Sequence, residues 1–190
     1  ASSGLLNKKI GGPSVFPYQP VGIMEGRADQ STWETSAGAD RYRRGMYTHF
    51  WRLTPHPYLK MFDAPDSIEA CTRRASSNTP LQALALLNGP WFTEGAIALA
   101  RRALAEQGAL AVADRLHWMF QTCLGRQATL AELDVLHDHL ADQSEAFSQD
   151  TPRAAAIVGA DAGEHAVAEL AAWSSVARVI MNLDEFITRE

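Results

Sequence analysis

The chain is 190 residues long, 46% hydrophobic and 21% charged, with a formal net charge of −5. These proportions fit a soluble globular protein of one domain or two, and a chain of this length buries roughly 70% of the surface its unfolded form exposes. No apolar run is long enough to span a membrane, and a pI near 5.7 opposes the dense positive footprint of a duplex nucleic-acid binder.

The charge is spread unevenly. Residues 1–40 carry three basic and four acidic side chains, 41–74 carry seven and three, and 75–190 carry seven and fifteen. The plain reading of the basic middle is a segment neutralised by acidic helices. The sharper one is an anion-binding face for phosphate, carboxylate or sulfated glycan.

In chain order, residues 1–32 hold five glycines and three prolines, too dense for a helix or a strand ladder, and predict an extended arm. Val15, Phe16, Tyr18 and Val21 would lie along the body, while Glu25 to Thr32 has little to hold it down. An irregular segment of this length suggests docking onto a missing or adjacent part of the protein. Residues 33–190 read as a helical domain, with a basic, aromatic and irregular part over 33–78 and a bundle over 79–190. From Arg41 to Leu53 the spacing of Met46, Phe50 and Leu53 predicts a helix, supported by the pair Asp40 and Arg44. Gly45 and the alternation of Tyr47, His49 and Trp51 leave a strand open, and Pro55 and Pro57 end the element either way. After a turn at Phe62, Asp66 is a candidate N-cap with Glu69 three residues on, for a short helix turning Ile68, Cys71 and Ala75 inward.

The clearest helix start is Thr79-Pro80-Leu81-Gln82, a capping box with Pro at the first helical position, whose helix presents Leu84 and Leu87. Asn88-Gly89-Pro90 breaks it and opens another helix, from Trp91 to about Gln107. Leu116, Met119, Phe120, Cys123 and Leu124 form an apolar stripe closed by Gly125. Thr129 and Glu132 cap a helix showing Leu130, Leu133, Leu136 and Leu140. A polar, Ala-rich connection is read from Ser144 to Gly163, after which Asp161 and Glu164 open a long helix bearing Val167, Leu170, Trp173, Ala177 and Ile180. A last turn covers Asn182 to Phe186. With no solenoid period, the predicted fold is mainly α, an irregular helical bundle with an extended Gly/Pro-rich N-terminal arm.

Little in the chain spells out a reaction. His137 and His139 lie two apart on a predicted helix and diverge. His49, His56, His117 and His165 lack companions at ligand spacing, and so do Cys71 and Cys123, so no metal site is expected. Ser76 and Ser77 lack a Gly-flanked elbow. The catalytic candidates are Asp40, Asp63 and Asp66, beside Arg41, Arg43, Arg44, Arg73 and Arg74, because glycoside hydrolysis needs two carboxylates facing each other across a bond. The competing reading of the same cluster is an ion-pair network that locks loops onto helices. Seven of the sixteen aromatics fall between Trp33 and Phe62 and serve either as core or as sugar-stacking rings, Trp51 among them. The candidate binding residues are thus Arg41, Arg43, Arg44, Trp51, Arg73, Arg74, Asn78 and Gln82, the last two having capping as their plainer role.

The stretches KIGGPSVFPYQP, DRYRRGMYTHFWRLTPHP, FDAPD, SNTPLQALALLN and MNLDEF occur in the order seen in one family. In them the chain resembles, from Ala1 to Glu190, the C-terminal planctomycete-type domain of unknown function. Relatives more often have Asp where this chain has Gly89, a change that bears on the strength of an N-cap. The resemblance implies a domain ending large exported proteins, periplasmic or at the cell surface, preceded by a second helical domain and often by a c-type haem module. Any haem would lie outside this chain, which has no attachment motif, and no cofactor is expected within it. The absence of an initiator Met and of signal-peptide regions fits a fragment of such a protein. In an exported protein Cys71 and Cys123 could pair, although two buried free thiols are the simpler expectation. The function favoured is a non-catalytic module making interdomain, partner or glycan contacts, its partners being other domains of the same polypeptide or an anionic or neutral polysaccharide. A carbohydrate-active enzyme using the Asp and Arg cluster is the alternative.

Overall fold

The computed structural model describes residues 1–20, 22–23, 33–52, 54–65, 70–159 and 165–188. The chain forms two compact units, one of Ala1–Gly4 with Ala83–Glu190 and one of Leu5–Gln82. The protein is mainly α. Among the described residues there are eight α-helices and no strand beyond two isolated parallel bridges.

The unit of Ala83–Glu190 is built by apolar stripes. The helices are α1 Pro57–Met61, α2 Pro80–Asn88, α3 Pro90–Glu106, α4 Val112–Leu124, α5 Leu130–Gln149, α6 Thr151–Val158, α7 Val167–Met181 and α8 Asp184–Ile187, of which α3 to α8 lie wholly in this unit. α7 packs along α3, α5 and α6, and its Leu170, Val176, Ala177 and Ile180 are fully enclosed. The small residues Gly95, Ala96, Ala100 and Ala103 of α3 are buried and allow close helix approach; a methyl added at Gly95 would sit 3.6 Å from the Met181 side chain. α4 turns Leu116, Met119, Phe120 and Cys123 inward and ends at Gly125, whose φ of 79° is the left-handed conformation that glycine adopts without strain. Thr129 and Glu132 form the expected capping box. Arg126 ties that box to α8, reaching Glu132 at 2.7 Å and Glu185 at 2.6 Å.

Two readings of this region are corrected. The connection expected from Ser144 to Gly163 is largely helical: α5 runs on to Gln149, and Asp150 then caps α6 by accepting from the Arg153 amide at 3.0 Å. Buried Phe147, Ala154 and Val158 anchor both pieces to the core, and this burial outweighs the polar composition around them. On α2, Leu86 is buried whereas Leu84 is exposed. The expected caps Asp161 and Glu164 lie outside the described residues.

The unit of Leu5–Gln82 is built differently. Its described buried residues include Val15, Tyr58, Arg43, His56 and Gln82, so polar groups fill much of its interior and must be bonded there. The arm lies along the following segment of its own unit. The Val15 amide donates to Tyr47 O at 2.8 Å, His49 N to Val15 O at 2.8 Å, and Asn7 N to Tyr42 O at 3.0 Å. Trp33 Nε1 donates to Pro17 O at 2.8 Å, and Ser36 bonds Phe16 through both its backbone and its hydroxyl.

These bonds explain why the helix expected over Arg41 to Leu53 does not form. Gly38–Tyr42 and Gly45–Tyr47 are single 3-10 turns, and Arg43 and Thr48 bridge instead to Asn7 and Val15. The arm supplies from outside the backbone partners that a helix would have supplied from within. Met46 and Phe50, read as residues at helical spacing, are 77% and 46% exposed, and Leu53 lies outside the described residues.

Candidate functional site

Two polar hubs hold the Leu5–Gln82 unit, and each uses a residue singled out in the sequence. The first is Arg43, only 5% exposed. Its guanidinium donates to the carbonyls of Lys9 at 3.0 Å, Gly11 at 2.6 Å and Pro13 at 3.3 Å, and it lies 3.7 Å from the centre of the Tyr47 ring. The Tyr47 hydroxyl in turn accepts from the Gly11 amide at 3.0 Å. A planar fork spreads its donors over several nitrogens and so reaches carbonyls set apart along one irregular loop, whereas a lysine's three donors radiate from a single atom. Arg43 thus fastens the arm to the segment that follows it.

The second hub joins the end of α1 to the start of α2. Asp63 sits at φ 58°, a left-handed conformation that Asp tolerates better than most residues. Its carboxylate accepts from the Ser77 amide at 2.8 Å and the Ser77 hydroxyl at 2.7 Å. Those hydrogen bonds hold its pKa below the ordinary carboxylate value. Gln82, fully buried, accepts from the Thr79 amide at 2.8 Å and donates to Met61 O at 2.8 Å and Ser77 Oγ at 3.1 Å. Thr79 Oγ1 closes the capping box from the other side at 3.3 Å. Arg74 Nε donates to Asp63 O at 2.8 Å, and its Nη2 to Phe62 O. A carboxylate that already accepts two hydrogen bonds from Ser77 in its ionised form is poorly disposed to act as a general acid.

Asp40 is exposed on the Gly38–Tyr42 turn, and Asp66 lies outside the described residues. Arg41 lies 5.4 Å from the Tyr42 ring centre; Arg44, Arg73 and Asn78 are exposed. Trp51 packs edge-on to His49 with centroids 5.6 Å apart. Phe16, Trp33, His49, His56 and Tyr58 continue this run of ring contacts, with His56 and Tyr58 buried and the others half-buried. His56 is buried, its Nε2 is 3.0 Å from Tyr18 O, and burial pushes its pKa below the ordinary histidine value. No cluster with metal-ligand chemistry occurs among the described residues.

What the unit does contain is a recess of about 800 Å³, within the size range of small-molecule and oligomer sites. Its apolar wall comes from Met46, Phe50, Pro55, Leu59, Ala64 and Pro65. Arg52, Lys60 and Arg74 bring three cations, His49 and His56 add imidazoles, and no Asp or Glu is among the described lining residues. Of the residues selected from sequence only Arg74 lines it. Phe50 had been read as one of seven rings able to stack on a sugar, and with Met46 as part of a helical stripe; Arg52 and Lys60 were missed, membership of the basic, aromatic stretch 41–74 being the one available signal.

Fold and recess together define a mainly helical protein carrying a loop-built, cation-lined cleft. The chain belongs to a family of unknown function: the model described as PSD1, Protein of unknown function (DUF1553), matches residues 1–140. The MNLDEF motif lies beyond the matched part. No curated protein and no solved structure matches the chain. The cysteines are both free, with Cys71 exposed where a buried thiol was expected, and Cys123 buried with its pKa pushed up to about 11 by desolvation. No helix among the described residues is long and apolar enough to cross a membrane.

Proposed function

We propose that this chain is a non-catalytic module of an exported multidomain protein and that it makes glycan contacts through the recess of its Leu5–Gln82 unit. The observation that carries this reading is the lining itself, which joins exposed Phe50 and Met46 to three cations with no described carboxylate among them. Asp63, the best placed of the catalytic candidates, is occupied in joining α1 to α2. The exported, multidomain setting is drawn from the family resemblance, and other domains of the same polypeptide are further partners on the same ground. Incubating the 190-residue chain with a panel of polysaccharides tests the reading. Saturable binding without release of reducing ends is expected; turnover that disappears in Asp40→Asn or Asp63→Asn overturns it.

A further inference from the structure

The recess carries the opposite sign to the chain. The protein has 22 acidic against 17 basic side chains, yet Arg52, Lys60 and Arg74 gather around one cavity. Residues 5–82 hold ten basic and seven acidic side chains, and residues 83–190 hold seven and fifteen. A concentration of cations against the overall charge, around low-dielectric walls, focuses field toward an anion.

The three cations are not equivalent. Arg74 is fixed by its bonds to the Phe62 and Asp63 carbonyls, so it presents a charge at a set position. Arg52 and Lys60 are exposed and can close on an incoming group. A guanidinium fork matches the paired oxygens of a carboxylate or sulfate, and an ammonium adds a point charge. Beside them Phe50 is 46% exposed and Met46 77% exposed, offering ring face and thioether where the charges stand. A pyranose with an acidic substituent has a matching shape: a flat C–H face to lie on the ring, and an oxyanion at its edge to meet the cations. An acidic peptide offers the charge without the rigid apolar face.

We infer that the recess is an anion-selective saccharide site, taking uronic or sulfated sugars, with Arg52 and Lys60 as its charge contacts and Phe50 as its platform. This rests on the glycan reading above and narrows it to one ligand class.

The test is calorimetric titration of the full chain with dextran sulfate, polygalacturonate, neutral dextran and polyglutamate, repeated with Arg52→Ala/Lys60→Ala and with Phe50→Ala. Dextran sulfate or polygalacturonate is expected to bind, and which of the two binds tighter identifies the oxyanion. That affinity should weaken on the order of tenfold when salt is raised from ~50 to ~200 mM, as screening requires of exposed charges. The double variant should lose about tenfold in affinity while melting like the wild type, since exposed side chains contribute little to stability. Phe50→Ala should weaken saccharides and leave polyglutamate unchanged. Equal affinity for neutral dextran, or a double variant that binds like the wild type, overturns the charge assignment and leaves the glycan reading standing. Preference for polyglutamate, or no binding by any saccharide, overturns both.

Discussion

The two units solve the same folding problem with different chemistry. In Ala83–Glu190 the interior is a continuous apolar cluster running from Ala96 to Met181, and Ser174, the buried polar side chain among the described residues there, bonds Leu170 O within its own helix at 2.7 Å. In Leu5–Gln82 the buried set includes Arg43, His56 and Gln82, each tied to carbonyls of the same unit. Apolar burial is non-directional and tolerates exchange of one side chain for another of similar volume. Polar hubs tolerate almost none, because each donor has a fixed list of acceptors. The gain is a surface held without regular structure, on which cations and apolar groups can share one recess.

That contrast can be broken by mutation. The largest loss is expected from Phe120→Ala in the apolar core, about 4 kcal/mol, through lost transfer energy and a residual cavity. Arg43→Ala should cost about 3 kcal/mol, because the carbonyls of Lys9, Gly11 and Pro13 lose a charged donor that solvent replaces poorly. Arg43→Lys should recover only part of that loss. Phe120→Leu should recover most of its own, since volume and not direction is at stake there. Guanidinium-chloride melts read by tryptophan fluorescence check both pairs. If Arg43→Lys is as stable as the wild type, the hub description fails.

Smaller effects sharpen the comparison. Thr79→Ala and Thr129→Ala each remove an N-cap oxygen and should cost about 1 kcal/mol in a melt. Arg44→Ala, at an exposed arginine, should stay within about 0.5 kcal/mol of the wild type.

Acid should also separate the units. Burial holds His56 below its ordinary 6.5, so the unfolded chain binds that proton more readily than the folded one. Stability from His56 is therefore present above pH 6.5 and is lost as pH falls below it. Glu132 is held down to about 2, first by the Arg126 guanidinium and then by the Thr129 amide, from an ordinary 4.5. Its contribution is lost only between about pH 4.5 and about pH 2, and solvent screening keeps it modest. Amide exchange followed from pH 7 to pH 3 should show Leu5–Gln82 losing protection before the helices α3 to α7.

How much of this the sequence disclosed follows the same division. Capping boxes and 3.6-residue stripes are local signals, so α3, α4, α5 and α7 were legible from Gly89-Pro90, Thr129 with Glu132, and the spacing of Leu170, Trp173, Ala177 and Ile180. The signal Asp150-Thr151-Pro152 for α6 was present too, hidden by the polar composition on either side. The segment from Arg41 to Trp51 was misread because its partners are non-local: Val15 and Asn7 sit some thirty residues upstream and take the backbone bonds a helix would have made. One reading of the arginines was an ion-pair network; Arg43 and Arg74 find carbonyl oxygens where carboxylates were anticipated. The recess depends on how those loops are tied, which explains why Arg52 and Lys60 carried no signal of their own.

The most direct test of the central claim, that an anionic sugar binds on the loop-built unit, is chemical-shift mapping. An isotope-labelled chain would be titrated with a short sulfated or uronic oligosaccharide while its backbone amides are followed. Saturable shifts are expected at Gly45, Thr48 to Arg52, His56, Tyr58 to Lys60 and Arg74, with α4 to α7 unchanged. Shifts confined to α4 to α7, or the same shifts produced by a neutral oligosaccharide of equal length, would contradict it.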